Sequence, residues 1–146
     1  MEPMLEEMPL PPEAPILAVD YGLQRVGLAI SDPNGRVAVG AGILVGLKGR
    51  ALARAVIAAA RERNAKSILV GEPPEDAREV EDVIAGADKL SDYLTSKGFP
   101  VYRIDEDYTT AVALASRKAI GGKGKRTKKW IDEAAAIIIL QRFLDS

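Results

Sequence analysis

Apolar and polar positions along the chain alternate in blocks that predict elements before any single residue is considered. Ile16-Leu17-Ala18-Val19 is a continuous apolar run ending at Asp20, the pattern of a buried strand. Asp20-Tyr21-Gly22 then turns into Arg25-Val26-Gly27-Leu28-Ala29-Ile30-Ser31, which reads as a second strand over about 26–31. Asp32-Pro33-Asn34-Gly35 is a strong turn signal, so a third strand over about 37–44 should pair antiparallel to the second. Residues 49–63 are Ala-rich, with Leu52, Val56 and Ile57 at helical spacing. A strand over 67–71 ends at Glu72-Pro73-Pro74, a helix is predicted over about 79–96 with Gly98 as its C-terminal cap, and a strand over about 101–104 follows. Thr109-Thr110 can cap a helix over about 111–119, residues 120–124 read as a basic loop, and a last helix should begin near Trp130-Ile131-Asp132. The order βββαβαβαα predicts an α/β domain whose five-stranded mixed sheet has three antiparallel strands, then two parallel ones, with helices on both faces.

Composition narrows the chemistry. The 146 residues contain no His and no Cys, which excludes Ser-His-Asp and Cys-His catalysis, disulfides and thiolate or imidazole metal sites. Chemistry must come from carboxylates, Lys, Arg, Tyr, Ser, Thr or a bound ion. Residues 1–14 carry four acids, four prolines and no Lys or Arg, so they read as a flexible acidic tail before one domain over 15–146. No apolar run approaches the roughly 20 residues a membrane helix needs, so a cytoplasmic location is the default expectation. The net charge is only −1, but its distribution is uneven. Arg117–Lys129 holds seven cations in thirteen residues and no acid, whereas Glu72–Asp92 holds eight acids against Arg78 and Lys89. Such polarity within one domain suggests a basic binding face.

Three acidic positions lie at the edges of predicted core elements. Asp20 ends a buried strand, Asp105-Glu106-Asp107 ends the last strand, and Asp132 opens the last helix. A carboxylate at the end of an apolar strand is costly unless it is paired or binds a cation. A cluster of carboxylates suits hard divalent ions, and two such ions can clamp an in-line phosphoryl displacement. Each acid also has a bland role: Asp20 as a turn residue, Asp132 as a helix N-cap beside free N–H groups, Glu106 as solvated surface. Glu72, just past the fourth strand, is a reserve ligand. Trp130 fits an anchor for the last helix, and Tyr21 or Tyr108 could stack on a base.

Asp20-Tyr21-Gly22-x-x-Arg25-Val26-Gly27, Asp105-Glu106-x-x-Thr109-Thr110 and Asp132-x-x-Ala135-Ala136-x-x-x-Leu140-Gln141 resemble, in order and spacing, the three blocks of the YqgF/RuvX family. That family is known as Holliday-junction resolvases and pre-16S rRNA nucleases, with a ribonuclease-H-like fold. The resemblance implies a metal-dependent nuclease with Asp20, Glu106 and Asp132 as catalytic ligands of Mg²⁺ or Mn²⁺. It also implies nucleic-acid contacts from Arg25, Thr109, Lys123, Lys125, Arg126 and Lys128. The implied partner is branched or single-stranded DNA or precursor rRNA, and a homodimer stays open. Two positions depart from the family pattern: Asp107 stands where Arg is usual, and Gln24 replaces a usually basic residue. They keep open a non-catalytic nucleic-acid-binding or ribosome-maturation factor on the same fold. An actin-like ATPase also opens with an Asp-x-Gly strand turn, but it needs two such domains.

Overall fold

In the computed structural model, residues 12–72, 80–105 and 125–146 are described. They form β1 (Ile16–Asp20), β2 (Arg25–Ser31), β3 (Ala38–Val45), α1 (Gly49–Glu62), β4 (Ser67–Glu72), α2 (Val80–Ser96), β5 (Val101–Asp105) and α3 (Lys125–Asp145). The strands make one sheet in the order β3-β2-β1-β4-β5, with β1–β2 and β2–β3 antiparallel and β1–β4 and β4–β5 parallel. This is the predicted topology. The helix expected over 111–119 lies outside the described residues.

The alternation of strand side chains divides the core in two. Leu17, Val19, Val26, Leu28, Ile68 and Val70 pack beneath α1 and α2, with Leu52, Val56, Leu90 and Leu94. Ile16, Ala18, Ala29, Leu69 and Tyr102 face the other way and meet Ala136 and Leu140 of α3. Among the described residues, no helix is long and apolar enough to cross a membrane. Residues 12–14, assigned by composition to the tail, instead lie against the sheet. Ser67 donates its hydroxyl to the Glu13 carbonyl at 2.8 Å, and Ala14 packs on the α3-side core.

The last helix starts earlier than its pattern suggests. It begins at Lys125 rather than near Trp130, directly after Gly124, the last glycine of the chain. Lys and Arg are good helix formers, so once the glycines end nothing in the basic run opposes a helix. Asp132 therefore sits seven residues inside α3 and is not its N-cap. Free N–H groups at a helix end are not what its backbone offers.

Polar side chains of α3 fix that helix across the outer strand. The Gly42 N–H donates to the Glu133 carboxylate at 2.7 Å, and the Ala38 N–H donates to the Gln141 side-chain carbonyl at 2.9 Å. Gln141 also donates to the Arg36 carbonyl at 2.9 Å. A register shift between Leu28 and Ala29 marks a bulge in β3, beside Gly42 at φ +99°. Gly40 is needed for the approach, because a Cβ there would collide with the Glu133 carboxylate. α3 thus occupies outward N–H groups that an edge strand would otherwise offer to another chain.

The β2–β3 turn is held by Asp32, whose Oδ1 accepts from the N–H groups of Arg36 at 2.7 Å and Val37 at 3.0 Å. Those backbone bonds, Val37 first and then Arg36, hold its carboxyl below the usual carboxylate range. A depressed folded pKa contributes stability above the unfolded value of 3.8 that is lost as pH falls through the lower folded value. Asp32→Ala should therefore lose stability at neutral pH and show a smaller further loss on acidification than the parent, measured by urea unfolding between pH 7 and 3. In the same assay, Glu133→Ala should cost about 1–3 kcal/mol by leaving the Gly42 N–H unpaired, and Glu133→Gln, which keeps an acceptor, clearly less.

Candidate active site

Asp20 is the last residue of β1, and its parity is that of Ile16 and Ala18, so it belongs to the face covered by α3. It is 6% exposed. Its register partners are Gly27 on β2 and Gly71 on β4. A buried carboxylate on the central strand is thus flanked on both sides by residues without side chains. A Cβ at Gly71 would lie 3.7 Å from Ile139 of α3, so this helix closes over the same spot. Ala135 and Ala136 are fully buried, and their small side chains let α3 approach the sheet closely.

The turn after Asp20 is shaped by Gly22. A Cβ at Gly22 would stand 2.6 Å from the Arg25 carbonyl oxygen, closer than any side chain tolerates. The next side chain along, Tyr21, goes to the opposite face. It packs against the α1/α2 core, and its hydroxyl fills the space left by the missing side chain of Gly86. Burial pushes that hydroxyl above its ordinary pKa, so it is neutral at physiological pH. The stacking role considered for Tyr21 beside Asp20 is therefore not its role here; Tyr108 lies outside the described residues.

Register places the other candidates. Glu133 is anchored to Gly42; the next residue, Ile43, is in register with Gly27, and Gly27 with Asp20. The backbone at Asp132 adjoins Glu133, so α3 carries position 132 to the Asp20 end of the sheet. Arg25 shares the parity of Gly27 and Ala29, which puts its position on the Asp20 face. Glu72 ends β4, in register with Asp105.

Glu106, Thr109 and Lys123 lie outside the described residues. Lys125, Arg126 and Lys128, expected before the last helix, are in its first turns. Among the described residues no group of three or more acids that could hold a metal is formed. Two functional positions escaped the sequence reading. Glu133 looked like one more surface acid beside Asp132, and Gln141 like a motif letter without a task. Both clamp α3 to β3, and their eight-residue spacing on one helix side was the available signal.

The family model described as "RuvX: Holliday junction resolvase" matches residues 14–146. The chain belongs to the RuvX family. Its curated relatives named "Putative pre-16S rRNA nuclease" include one from Chloroflexus aurantiacus, 36% identical over 136 residues that cover 90% of this chain and 86% of the relative. One from Rickettsia bellii is 30% identical over 136 residues, covering 92% and 88%. The fold is similar to that of Thermus thermophilus RuvC solved with a Holliday junction substrate, at TM-score 0.55 and 13% identity over 89% of this chain and 92% of that one. It is also similar to the fowlpox virus resolvase solved with Holliday junction DNA, at TM-score 0.51 and 11% identity over 89% and 96%. These likenesses establish the ribonuclease-H-like fold, and the family is one of nucleases.

Gly22 and Gly71 should differ in their response to substitution. Gly22→Ala should destabilise by more than about 1 kcal/mol, because the carbonyl it meets is backbone. Gly71→Ala should change stability by less than that, since its nearest contacts are at ordinary van der Waals distance. Thermal unfolding of both variants checks the contrast.

Proposed function

We propose that this RuvX-family chain is a divalent-metal-dependent nuclease that cleaves phosphodiester bonds in a Holliday junction or in precursor 16S rRNA. The observation that carries the reading is the placement of Asp20: buried, on the central strand, between Gly27 and Gly71, at the sheet end to which α3 brings Asp132. The donor set is all oxygen, since the chain has no His or Cys, and it fits Mg²⁺ or Mn²⁺ rather than Zn²⁺. Asp20 and Asp132 would hold the metal, with a third carboxylate from the end of β5. When bound, the metal supplies charge that activates water and stabilises the departing oxygen.

The chain's own residues divide the remaining work. Asp20 is carried by the paired backbone of the central strand β1, which fixes the position from which its carboxylate would act. Arg25, at the start of β2 on the same face, is placed to hold a phosphate next to the scissile one. Lys125, Arg126, Lys128 and Lys129 fall within the first five residues of α3 with no acid among them, a density of positive charge that supports a backbone-holding role for this run.

The family pattern at Asp105-Glu106-x-x-Thr109-Thr110 favours Glu106 over Glu72 as the third ligand.

Asp20→Asn should lower cleavage at least about 1000-fold, roughly 4 kcal/mol of transition-state stabilisation, with an unchanged unfolding midpoint. Glu106→Gln should cost at least about 100-fold, and Glu72→Gln much less. Cleavage of junction DNA and of precursor rRNA by each variant, with Mg²⁺ or Mn²⁺ and with chelator, provides the measurement. Wild-type turnover by Asp20→Asn would refute the mechanism. Binding of either substrate without any metal-stimulated cleavage would establish the non-catalytic role that Asp107 and Gln24 leave open.

A further inference from the structure

The outer face of α1 carries a charge pattern that the proposed cleavage site does not use. From Lys48 to Lys66 the chain has six cations, Lys48, Arg50, Arg54, Arg61, Arg63 and Lys66, against one acid, Glu62. All six cations are exposed, and none makes an ion pair among the described residues. Arg50, Arg54 and Arg61 lie four and seven residues apart, so they form one stripe about 16 Å long, across the helix from the buried Leu52 and along the exposed edge of the buried Ile57. In a chain of net charge −1 this is a strong local excess.

Its placement is specific. The Gly46 N–H donates to the Gln24 carbonyl, so α1 starts at the sheet end that holds Asp20. The Lys66 N–H donates to the Pro15 carbonyl, so the stripe ends at the opposite end of β1. At its upper end Arg50 shares an open cleft of about 230 Å³ with Lys89, Tyr93 and Tyr21. The neighbouring helix α2 exposes Glu81, Asp82, Asp88 and Asp92, which would repel a polyanion. The cationic strip is thus bounded laterally by acids and leads away from the site.

We propose that the outer face of α1 is a second nucleic-acid track, separate from the basic run at the start of α3. It would bind the sugar-phosphate backbone of a substrate arm leaving the Asp20 end and running down Arg50, Arg54 and Arg61. Phosphates spaced about 3.4 Å along a strand give this stripe several partners over its length. The contacts are to backbone and carry no sequence preference. This inference rests on the nuclease reading and adds where the substrate lies beyond the cleavage point.

The test uses the full chain with chelator present, so that binding is read without cleavage. Fluorescence anisotropy with a labelled DNA duplex and a labelled RNA strand of equal length, repeated over a range of salt, gives the affinity and its salt slope. The triple variant R50A/R54A/R61A should weaken binding and reduce the duplex slope by roughly two to three units, about 0.9 per lost contact. The triple variant R50K/R54K/R61K should retain most of both. Alanine is the best helix former, so both proteins should melt as the parent does, which circular dichroism verifies. Parental affinity and slope in the alanine variant would overturn the track and leave the nuclease reading standing. Equal losses in the alanine and lysine variants would overturn it too, because a backbone track depends on charge. Parental protein that binds with the expected slope but never cleaves on adding Mg²⁺ would refute the nuclease reading and leave the track.

Discussion

The constraint on which the rest depends is the cost of burying the Asp20 carboxylate at the end of a strand whose other residues are all core. The two-residue period of β1 sends Leu17 and Val19 to one face and Ile16, Ala18 and Asp20 to the other. A one-residue slip in register would place Tyr21 where the carboxylate now lies and move every core residue to the wrong side. Gly27 and Gly71 give up side-chain packing on the strands flanking Asp20, and Gly22 gives up a Cβ at the turn beside it. Gly22 is required by the turn itself, but Gly27 and Gly71 weaken the strands beside a buried acid. They make sense where room is needed above a charged group.

The second requirement is that α3 arrive over that spot in one fixed position. Apolar packing of Ala136, Ile139 and Leu140 supplies adhesion but leaves the helix free to slide. The directional bonds from Ala38 and Gly42 to Gln141 and Glu133 set the axial position, since each backbone N–H admits one acceptor in one place. Fixing Glu133 on β3 also fixes the backbone of its neighbour Asp132. The clamp on the edge strand and the geometry of the site are thus one arrangement, and loss of Glu133 would be felt in activity as well as stability.

Much of this was legible in the chain. The apolar runs at 16–19 and 67–70 and the Asp32–Gly35 turn predicted the strands, and the pattern placed Asp20 at the end of a buried strand, where the structure has it. Sheet order and the division of helices between faces followed from the family resemblance and from βαβ connectivity. The start of α3 was misjudged because a run of like charges resembles a solvated loop, while helix propensity favours Lys and Arg. The pairing of Gly71 with Asp20 could not be read without the register of β4 against β1, because parity has meaning only once a neighbour is fixed. Glu133 was hidden for a related reason: its partner is a backbone N–H 91 residues away, exposed by a bulge that no local pattern announces.

The claim that the Asp20 end of the sheet is a cation site has a direct test that needs no substrate. Titration of the full chain with Mn²⁺, followed by calorimetry, should show saturable binding that Mg²⁺ competes away. Asp20→Asn, folded as judged by its melting curve, should lose that binding. Undiminished Mn²⁺ affinity in folded Asp20→Asn protein would contradict the claim and place any metal site elsewhere in the molecule.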